Sequence, residues 1–519
     1  MPGTASAAPT PPAQTQVIGG HVAPAGAWPS IVGLLFHGSG PTWNDQYCAG
    51  TVVAPQWVLT AAHCVFHQPT PDVNVWVQHA PAEIDVLYGT RTLTTTLPST
   101  GTRVQASEIH PHPGYSPTAG TSESDVALVK LPAPIDVPAV AVPGPGLAPL
   151  WSAGRTGHVA GWGNTDPDDA HDPSYPLDLM EVDVPIVSDA DCGSLAGYGP
   201  QYFPATMLCA GNFAAGGQDT CQGDSGGPLT VLDRAGRSVL AGDTSFGEGC
   251  GQAFKPGVYA RIASLRAFVD ATIGWSAAAS ASTSSLAFVR PAVGETAAGQ
   301  AVTLTSTGSA PVSVAAARLT GTDADQFTID PDGCTQTALL PAQSCTVTVR
   351  ARPTRDADAA AQLAFDRDGT TAAVTVALTA TAPPKPPAPD PAPVPTPTPT
   401  TPAVTPKPAT PKPVAPTVTR LRALAPSRGR HRVQVTLSAA GSVRLSFTAR
   451  VKSGKKRRTV TVATGKDTFA AAGARTVVVT LAKAGRTEFA RHRTLATTVT
   501  AVTRAGTASR TAKRSLTLR

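Results

Sequence analysis

The stretch Gln218–Leu229, QDTCQGDSGGPL, surrounds one serine, Ser225, with three glycines and a proline between Gly223 and Pro228. It also places carboxylates at Asp219 and Asp224. Glycines let backbone come close and let amide N–H groups converge on one point. Such a turn suits a nucleophilic serine beside an oxyanion pocket, and equally an ordinary tight turn, so one short motif does not decide. Serine alone is a poor nucleophile at neutral pH. It needs an imidazole to take its proton, and the imidazole needs a carboxylate to fix its tautomer. LTAAHC, Leu59–Cys64, sets His63 beside a cysteine, and SDVALVKL, Ser124–Leu131, sets Asp125 at the head of an apolar run. Each residue alone has an ordinary structural reading. Together, in the order His, Asp, Ser, they argue for chemistry.

The rest of the chain bounds that reading. At 519 residues it is too long for one ordinary domain. No apolar run reaches the roughly 18 residues needed to span a bilayer, so a soluble or peripheral protein without a transmembrane segment is expected. MPGTASAAPTPPAQTQ, 1–16, has neither a basic start nor an apolar stretch and reads as a leader or propeptide rather than a signal peptide. The cysteines are Cys48, Cys64, Cys192, Cys209, Cys221, Cys250, Cys334 and Cys345. None stands in a CxxC or zinc-type cluster, so disulfides and an oxidising, extracellular setting are the better explanation. Charge divides the chain: residues 1–382 carry 15 Lys/Arg against 32 Asp/Glu, and residues 417–519 carry 23 against 2.

Residues 17–275 alternate short apolar runs with Gly/Pro/Asn/Asp clusters, the pattern of many short strands. They end in RIASLRAFVDATIG, 261–274, whose apolar positions suit one face of a terminal helix. A Ser/Ala/Thr stretch, 276–285, leads into 286–382, where period-two runs such as AVTLTSTG and SCTVTVRA predict a small β-sandwich. Residues 383–416 are Pro/Thr/Ala/Lys, which cannot build a core and favours an extended linker. Residues 417–519 are again strand-like but basic throughout, with SGKKRRTV at 453–460 as the densest run. The fold class expected is all-β.

Further motifs join the first three: VIGG at 17–20, CAGTVVAPQWVLTAAHC at 48–64, AGWGNT at 160–165, VPIVSDADC at 184–192, MLCAG at 207–211 and KPGVYARI at 255–262. On these, residues 17–275 resemble the trypsin-like serine proteases. The resemblance implies a double six-stranded β-barrel with a C-terminal helix and a catalytic triad of His63, Asp125 and Ser225. It implies an oxyanion hole from the Gly223 and Ser225 amides, a donor type typically worth ~2.7–4 kcal/mol. It implies disulfides Cys48–Cys64, Cys192–Cys209 and Cys221–Cys250, leaving Cys334 and Cys345 to close a loop of the sandwich. Asp219 matches the base of the pocket that selects a cationic P1 side chain. Gly247 and Gly257 match its walls, and Gln222, Ser245 and Phe246 match further substrate-binding positions. Phe246 stands where the family usually has Trp. Asp224 matches the carboxylate that pairs with the new amino group of Val17 after the leader is cut. No cofactor is expected and no metal. LYGTRTLTTTLPSTGTRV lacks the family's calcium carboxylates, and His63 and His67, four apart, lack a third ligand nearby in sequence.

The function expected is therefore a secreted serine endopeptidase that cuts protein or peptide substrates after Arg or Lys. A catalytically silent relative is disfavoured because no triad member is missing. An alternative makes binding of an anionic cell-surface polymer by 417–519 the main role, with proteolysis auxiliary and the protein associated with the cell envelope. Specific nucleic-acid recognition is not expected, since this basic module has three phenylalanines and no stacking array. Residues 286–382 resemble the Ig-like, choice-of-anchor modules of secreted bacterial proteins.

Overall fold

The computed structural model describes residues 17–69, 75–118, 122–166, 174–368, 373–383, 417–427, 430–453, 456–469, 473–481, 495–505 and 508–518. The chain divides into two units, residues 1–388 and 389–519. The expected leader, 1–16, and the Pro/Thr linker from residue 384 lie outside the described residues.

Two curled antiparallel sheets make the first half of the larger unit. One runs in the order Thr102–Gln105, Ile84–Tyr88, Ile31–Phe36, Gln46–Ala54, Trp57–Thr60, Ala127–Lys130, Glu108–Pro111. Its outermost strands are consecutive in sequence. The two residues between them close the sheet on itself: Ala106 N–H bonds Ile84 C=O at one edge and Ser107 N–H bonds Lys130 C=O at the other. The second sheet runs His21–Val22, Met180–Pro185, Thr156–Gly161, Pro228–Leu232, Ser238–Phe246, Gly257–Arg261, Met207–Ala210. It closes where Val187 N–H meets Cys209 C=O and Gly211 N–H meets Pro185 C=O. Full closure removes the exposed edges that an open sheet would present to other chains. Each barrel counts seven strands rather than six. In the first, the break at Ala106–Ser107 splits one run into two strands; in the second, the two-residue His21–Val22 adds to the rim.

Short runs such as IVGLLF, 31–36, are buried on both faces apart from Phe36, as the wall of a filled barrel requires. The helix Ile262–Ile273 buries Ile262, Ala263, Leu265 and Val269 and stops at Gly274, whose φ of +76° suits glycine. Its apolar face joins Leu59 and Leu128 of one barrel with Leu240 and Ala260 of the other, so it covers the seam between them.

A two-sheet sandwich follows. One sheet is Ala279–Ala281, Gln300–Ser306, Ser344–Ala351, Phe327–Asp332, and the other is Ser285–Val289, Val374–Thr381, Ala359–Arg367, Val312–Thr320, Thr337–Leu339. Strict alternation in Ser285–Val289 points Leu286 and Phe288 inward, where they meet Val347, Leu363 and the Cys334–Cys345 disulfide. Residues 276–285, read from sequence as a connection, contribute strand Ala279–Ala281 to the sandwich.

The sandwich does not hang free of the barrels. Gly144 N–H donates to Ser313 Oγ at 2.9 Å and Gly146 N–H to Asp368 Oδ1 at 2.6 Å. In return Ala338 N–H donates to the buried Asp233 Oδ2 at 3.1 Å, and Arg266 Nη2 to Pro311 C=O at 3.1 Å. Ala338 lies inside the apolar cluster of the second barrel. Gly144 and Gly146 are required by this approach, since a Cβ at either would fall 2.5 Å or less from an Asp368 side-chain atom.

The second unit is one antiparallel sheet ordered Val418–Ser427, Arg430–Leu437, Gly473–Leu481, Lys456–Phe469, Gly441–Ser453, Leu495–Ala505, Ala508–Leu518. Its buried residues include Val433, Val435, Leu445, Phe447, Val462 and Val499. The side chains of the SGKKRRTV run lie outside the described residues.

Gly146→Val tests the docked arrangement. Overpacking of this kind costs about 1–3 kcal/mol, so the variant should melt lower and lose protection of the barrel–sandwich connection in limited proteolysis. Unchanged melting and protection would mean that the contact contributes nothing.

Candidate active site

Two carbonyl–amide contacts and one disulfide gather the residues singled out from sequence. The disulfide Cys48–Cys64 ties the turn that carries His63 to the strand Gln46–Ala54. The next residue of that strand, Ala49, donates its N–H to Ser225 C=O at 2.7 Å, and Gly226 N–H donates to Thr244 C=O at 2.8 Å. Gly226 has φ +78°, and a Cβ there would sit 2.1 Å from Thr60 Oγ1 and 2.4 Å from Ala49 C=O. The glycine after Ser225 thus lets the two barrels touch at the serine.

Asp125 is fully buried and His63 partly exposed. One Asp125 oxygen accepts the His63 backbone N–H and the other accepts His63 Nδ1–H, each at 2.8 Å. Ser245 Oγ donates to that second oxygen at 2.6 Å. Ser245 can do so because the pairing of Ser238–Phe246 with Gly257–Arg261 slips between Thr244 and Phe246, and this bulge re-aims its side chain. Burial works against the His63 imidazolium, but the Asp125 charge and hydrogen bond together outweigh it and hold its pKa above the ordinary value. Burial also opposes ionisation of Asp125, and His63 and Ser245 together hold its pKa below the ordinary value. Among the described residues no hydrogen bond joins His63 Nε2 to Ser225 Oγ; catalytic bonds of this kind commonly tighten only when substrate seats.

Ser225 stands in a turn whose amides divide into two sets. Asp224 N–H bonds Cys221 C=O, Gly226 N–H bonds Thr244 C=O, and Gly227 N–H bonds Asp224 C=O. The amides of Gly223 and Ser225 donate to nothing among the described residues. Gly223 has φ +98°, and its carbonyl accepts Gln46 Nε2–H at 2.9 Å. Gln46 was not singled out from sequence; nothing in its spacing marks it.

A pocket of about 220 Å³ opens beside Ser225, lined by Gln222, Ser245, Phe246, Gly247 and Gly257 among others. Asp219 lies behind the wall at Gly257, where a Cβ would come within 2.6 Å of Asp219 Oδ1. The Asp219 carboxylate accepts N–H groups of Thr220 and Gly251, each at 2.9 Å. Burial without a cation pushes its pKa up to about 7. Phe246 packs edge-on against Tyr198 at 5.4 Å between ring centroids. The Cys221–Cys250 disulfide holds the same wall, and Cys192–Cys209 lies further along the second barrel. Asp224 receives Gly163 N–H at 2.7 Å and Cys221 N–H at 3.0 Å, and burial pushes it up to about 6. Val17 and Ile18 are buried, and Ile18 C=O accepts Asp219 N–H at 3.2 Å.

Asp243 escaped the sequence reading. It is buried two residues before Ser245, and neither carboxyl oxygen has a hydrogen-bond partner among the described residues. Burial, and then the Asp125 charge, raise its pKa well above the ordinary carboxylate range. A group that keeps its proton when folded and would lose it when unfolded makes stability fall as pH rises above that range. In a Ser225→Ala background, Asp243→Asn should flatten the decline of melting temperature between pH 5 and pH 8. An unchanged slope would show that Asp243 is not held neutral.

The family model "Trypsin" matches residues 17–269. Human serine protease 56 is 37% identical over 261 residues, 48% of this chain and 38% of its own. Porcine coagulation factor XII is 36% identical over 267 residues, 49% of this chain and 39% of its own. Bovine coagulation factor XII is 35% identical over 266 residues, with the same shares. The chain thus spans about two fifths of the length of these curated relatives. With two closed barrels, a buried Asp–His pair and a serine turn with two unused amides, residues 17–269 belong to the trypsin family of serine proteases, in the chymotrypsin fold.

Proposed function

We propose that this protein is a secreted serine endopeptidase that cuts after Arg or Lys. The observation that carries the chemistry is the pair of unused amides at Gly223 and Ser225, in one turn with a serine that is hydrogen-bonded to the strand next to His63. Ser225 Oγ attacks the scissile carbonyl carbon while His63 Nε2 takes its proton, and the carbonyl electrons move onto oxygen between the two amides. His63 then protonates the departing amine as the C–N bond breaks, leaving an ester on Ser225. Water attacks that ester by the same route. Asp125 keeps the proton of neutral His63 on Nδ1, so that Nε2 is free to accept, and stabilises the imidazolium.

Specificity rests on Asp219. A buried carboxylate with no cation is costly, and an Arg or Lys side chain entering past Gly247 and Gly257 would supply one. Asp224 is in the same condition. The amino group released at Val17 by a cut after Gln16 would give it a partner, which makes the uncut chain a zymogen. A neutral Gln16 offers nothing to Asp219, so a different protease would make that cut. Four disulfides suit an oxidising compartment. Among the described residues no helix is long and apolar enough to cross a membrane.

A second reading concerns the basic module. Arg444 faces Lys466 and Val502 across neighbouring strands, and Ser442 faces Arg504. These cations line one cleft of about 600 Å³, with Asp467 as its acid. Such a surface favours a polyanion without sequence selection. The whole chain should bind an anionic resin at low salt and release at a few tenths molar, since attraction is screened over about 8–10 Å. No retention at low salt would remove this reading.

The mature enzyme, presented with peptides that differ only at P1, should prefer Arg and Lys. Ser225→Ala should cost about a millionfold in kcat and abolish labelling by a serine-directed phosphonate. Asp219→Ser should cost a hundredfold or more for Arg and Lys, in line with removal of one member of a buried charge pair. Preference for Phe or Leu in the wild type would overturn the pocket assignment. Affinity for benzamidine, an amidinium ligand, should rise about tenfold per pH unit below pH 7, because the ligand needs ionised Asp219. A flat profile between pH 5 and pH 8 would contradict it.

A further inference from the structure

The hairpin that follows His63 carries a second cluster of functional side chains. The strand Phe66–His67 pairs with Val77–Gln78, bringing Phe66 opposite Gln78 and His67 opposite Val77. His79 N–H then bonds Val65 C=O at 2.9 Å, so His79 is anchored to the turn that holds His63. The His67 and His79 rings lie 4.3 Å apart, inclined by 30°. Glu83 reaches back one turn: its Oε2 accepts Ala80 N–H at 2.8 Å and lies 3.2 Å from His79 Nδ1. One donor atom from each of His67, His79 and Glu83 falls within 4.8 Å of the others.

Two features make this more than a stacked histidine pair. His67 Nδ1 is buried with no hydrogen-bond partner among the described residues, and an unpaired buried polar atom is costly. His79 is itself buried, whereas Glu83 is about half exposed, so the cluster has a closed floor and an open mouth. The sequence reading paired His63 with His67 and found no third ligand. The chain instead turns His67 toward His79 and Glu83, which lie beyond residues 70–74. The other grouping, Cys48, Cys64 and His63, offers no thiolates because its sulfurs form a disulfide.

We propose that His67, His79 and Glu83 bind a divalent transition-metal ion, with Zn²⁺ the best match. Two imidazoles and one carboxylate are a borderline-soft donor set that suits zinc and not calcium or magnesium, which take oxygen ligands. Bonds of about 2.0–2.1 Å in a tetrahedron place donor atoms about 3.3 Å apart. His79 Nδ1 and Glu83 Oε2 already have that spacing. On binding, the His79 proton moves to Nε2, Nδ1 offers its lone pair to the ion, and His67 Nδ1 gains the partner it lacks. Water completes the fourth position at the open mouth. The ion would join the two arms of the hairpin and so stiffen the segment that leaves the His63 turn. This assignment stands apart from substrate specificity and does not depend on it.

The test uses the full, disulfide-bonded chain in a Ser225→Ala background, stripped with chelator and dialysed. Titration with Zn²⁺ should show one saturable site and raise the melting temperature. Co²⁺ should give the intense visible absorption of a four-coordinate ion, and Zn²⁺ should displace it. Glu83→Gln, a change at a half-exposed side chain, should weaken Zn²⁺ binding at least tenfold with the apo melting temperature kept. His67→Gln should abolish the cobalt absorption. Absence of saturable binding by the parent chain would overturn the proposal, and so would equal binding by Glu83→Gln and His67→Gln.

Discussion

The hydrogen bond from Ala49 N–H to Ser225 C=O crosses from one barrel to the other, and the rest of the site depends on it. It holds the serine turn against the strand whose neighbouring residue, Cys48, is bonded to Cys64 beside His63. Its length of 2.7 Å is possible only because Gly226 has no Cβ to strike Thr60 and Ala49. On the far side Gly226 N–H engages Thr244, and Ser245 follows with its bond to Asp125. A closed circuit therefore runs from serine to histidine to aspartate through backbone, disulfide and one side-chain hydroxyl. Three side chains from distant parts of the sequence acquire fixed relative positions, His63 and Asp125 by their direct hydrogen bonds and Ser225 through the backbone around it. Preorganisation of that kind is where an enzyme of this class finds most of its rate enhancement.

How much of this was legible in the sequence follows from what kind of constraint each feature is. Residues whose chemistry demands a rare local pattern stood out, as Ser225 does among its glycines and His63 beside its cysteine. The strands were legible as short apolar runs and the terminal helix as an apolar stripe ending at glycine, whereas the closure of those strands into barrels was implied only by the resemblance to the trypsin-like proteases. Gln46 was not legible. It matters because its amide happens to reach Gly223 C=O, and a lone glutamine in a strand advertises nothing. Asp243 was hidden for the opposite reason, since an aspartate before Thr-Ser reads as an exposed turn residue until the strand around it proves buried. The docking of the sandwich on the barrels was also hidden, because Gly144 and Gly146 look like loop glycines until Asp368, more than 200 residues later, is seen to fill the space beside them. Contacts between residues far apart in sequence leave no periodicity to read.

That docking changes what the second domain is for in physical terms. A spacer on a flexible connection would leave the second barrel's own surface intact. Here Ala338 is part of that barrel's apolar cluster, and its amide satisfies Asp233, whose other oxygen holds Ala235 and Arg237 in the turn Asp233–Arg237. Removing the sandwich would expose the apolar patch and take the Ala338 N–H from Asp233 Oδ2, leaving that oxygen to the Arg237 guanidinium alone. Barrels and sandwich therefore share a core and should unfold as coupled bodies, since the cooperative unit follows the packing and not the functional boundary.

The remaining tension is electrostatic. Asp219, Asp224 and Asp243 are all buried in the second barrel without a cation among the described residues, and burial raises the pKa of each. For Asp219 and Asp224 backbone N–H groups offset part of the penalty, and under the proposed function each gains a cation, a substrate side chain for one and a released amino group for the other. Between the ordinary carboxylate range and about pH 6–7 the folded chain therefore binds more protons than the unfolded one, and its stability declines as pH rises through that window. Supplying a cation to either site reverses the decline there. Under the proposed function, the same unfavourable burial that weakens the protein at neutral pH favours pairing of Asp224 with an amino group released at Val17 and of Asp219 with an arginine side chain. Among the described residues Asp243 has neither a cation nor a backbone donor, so its penalty is met by keeping its proton.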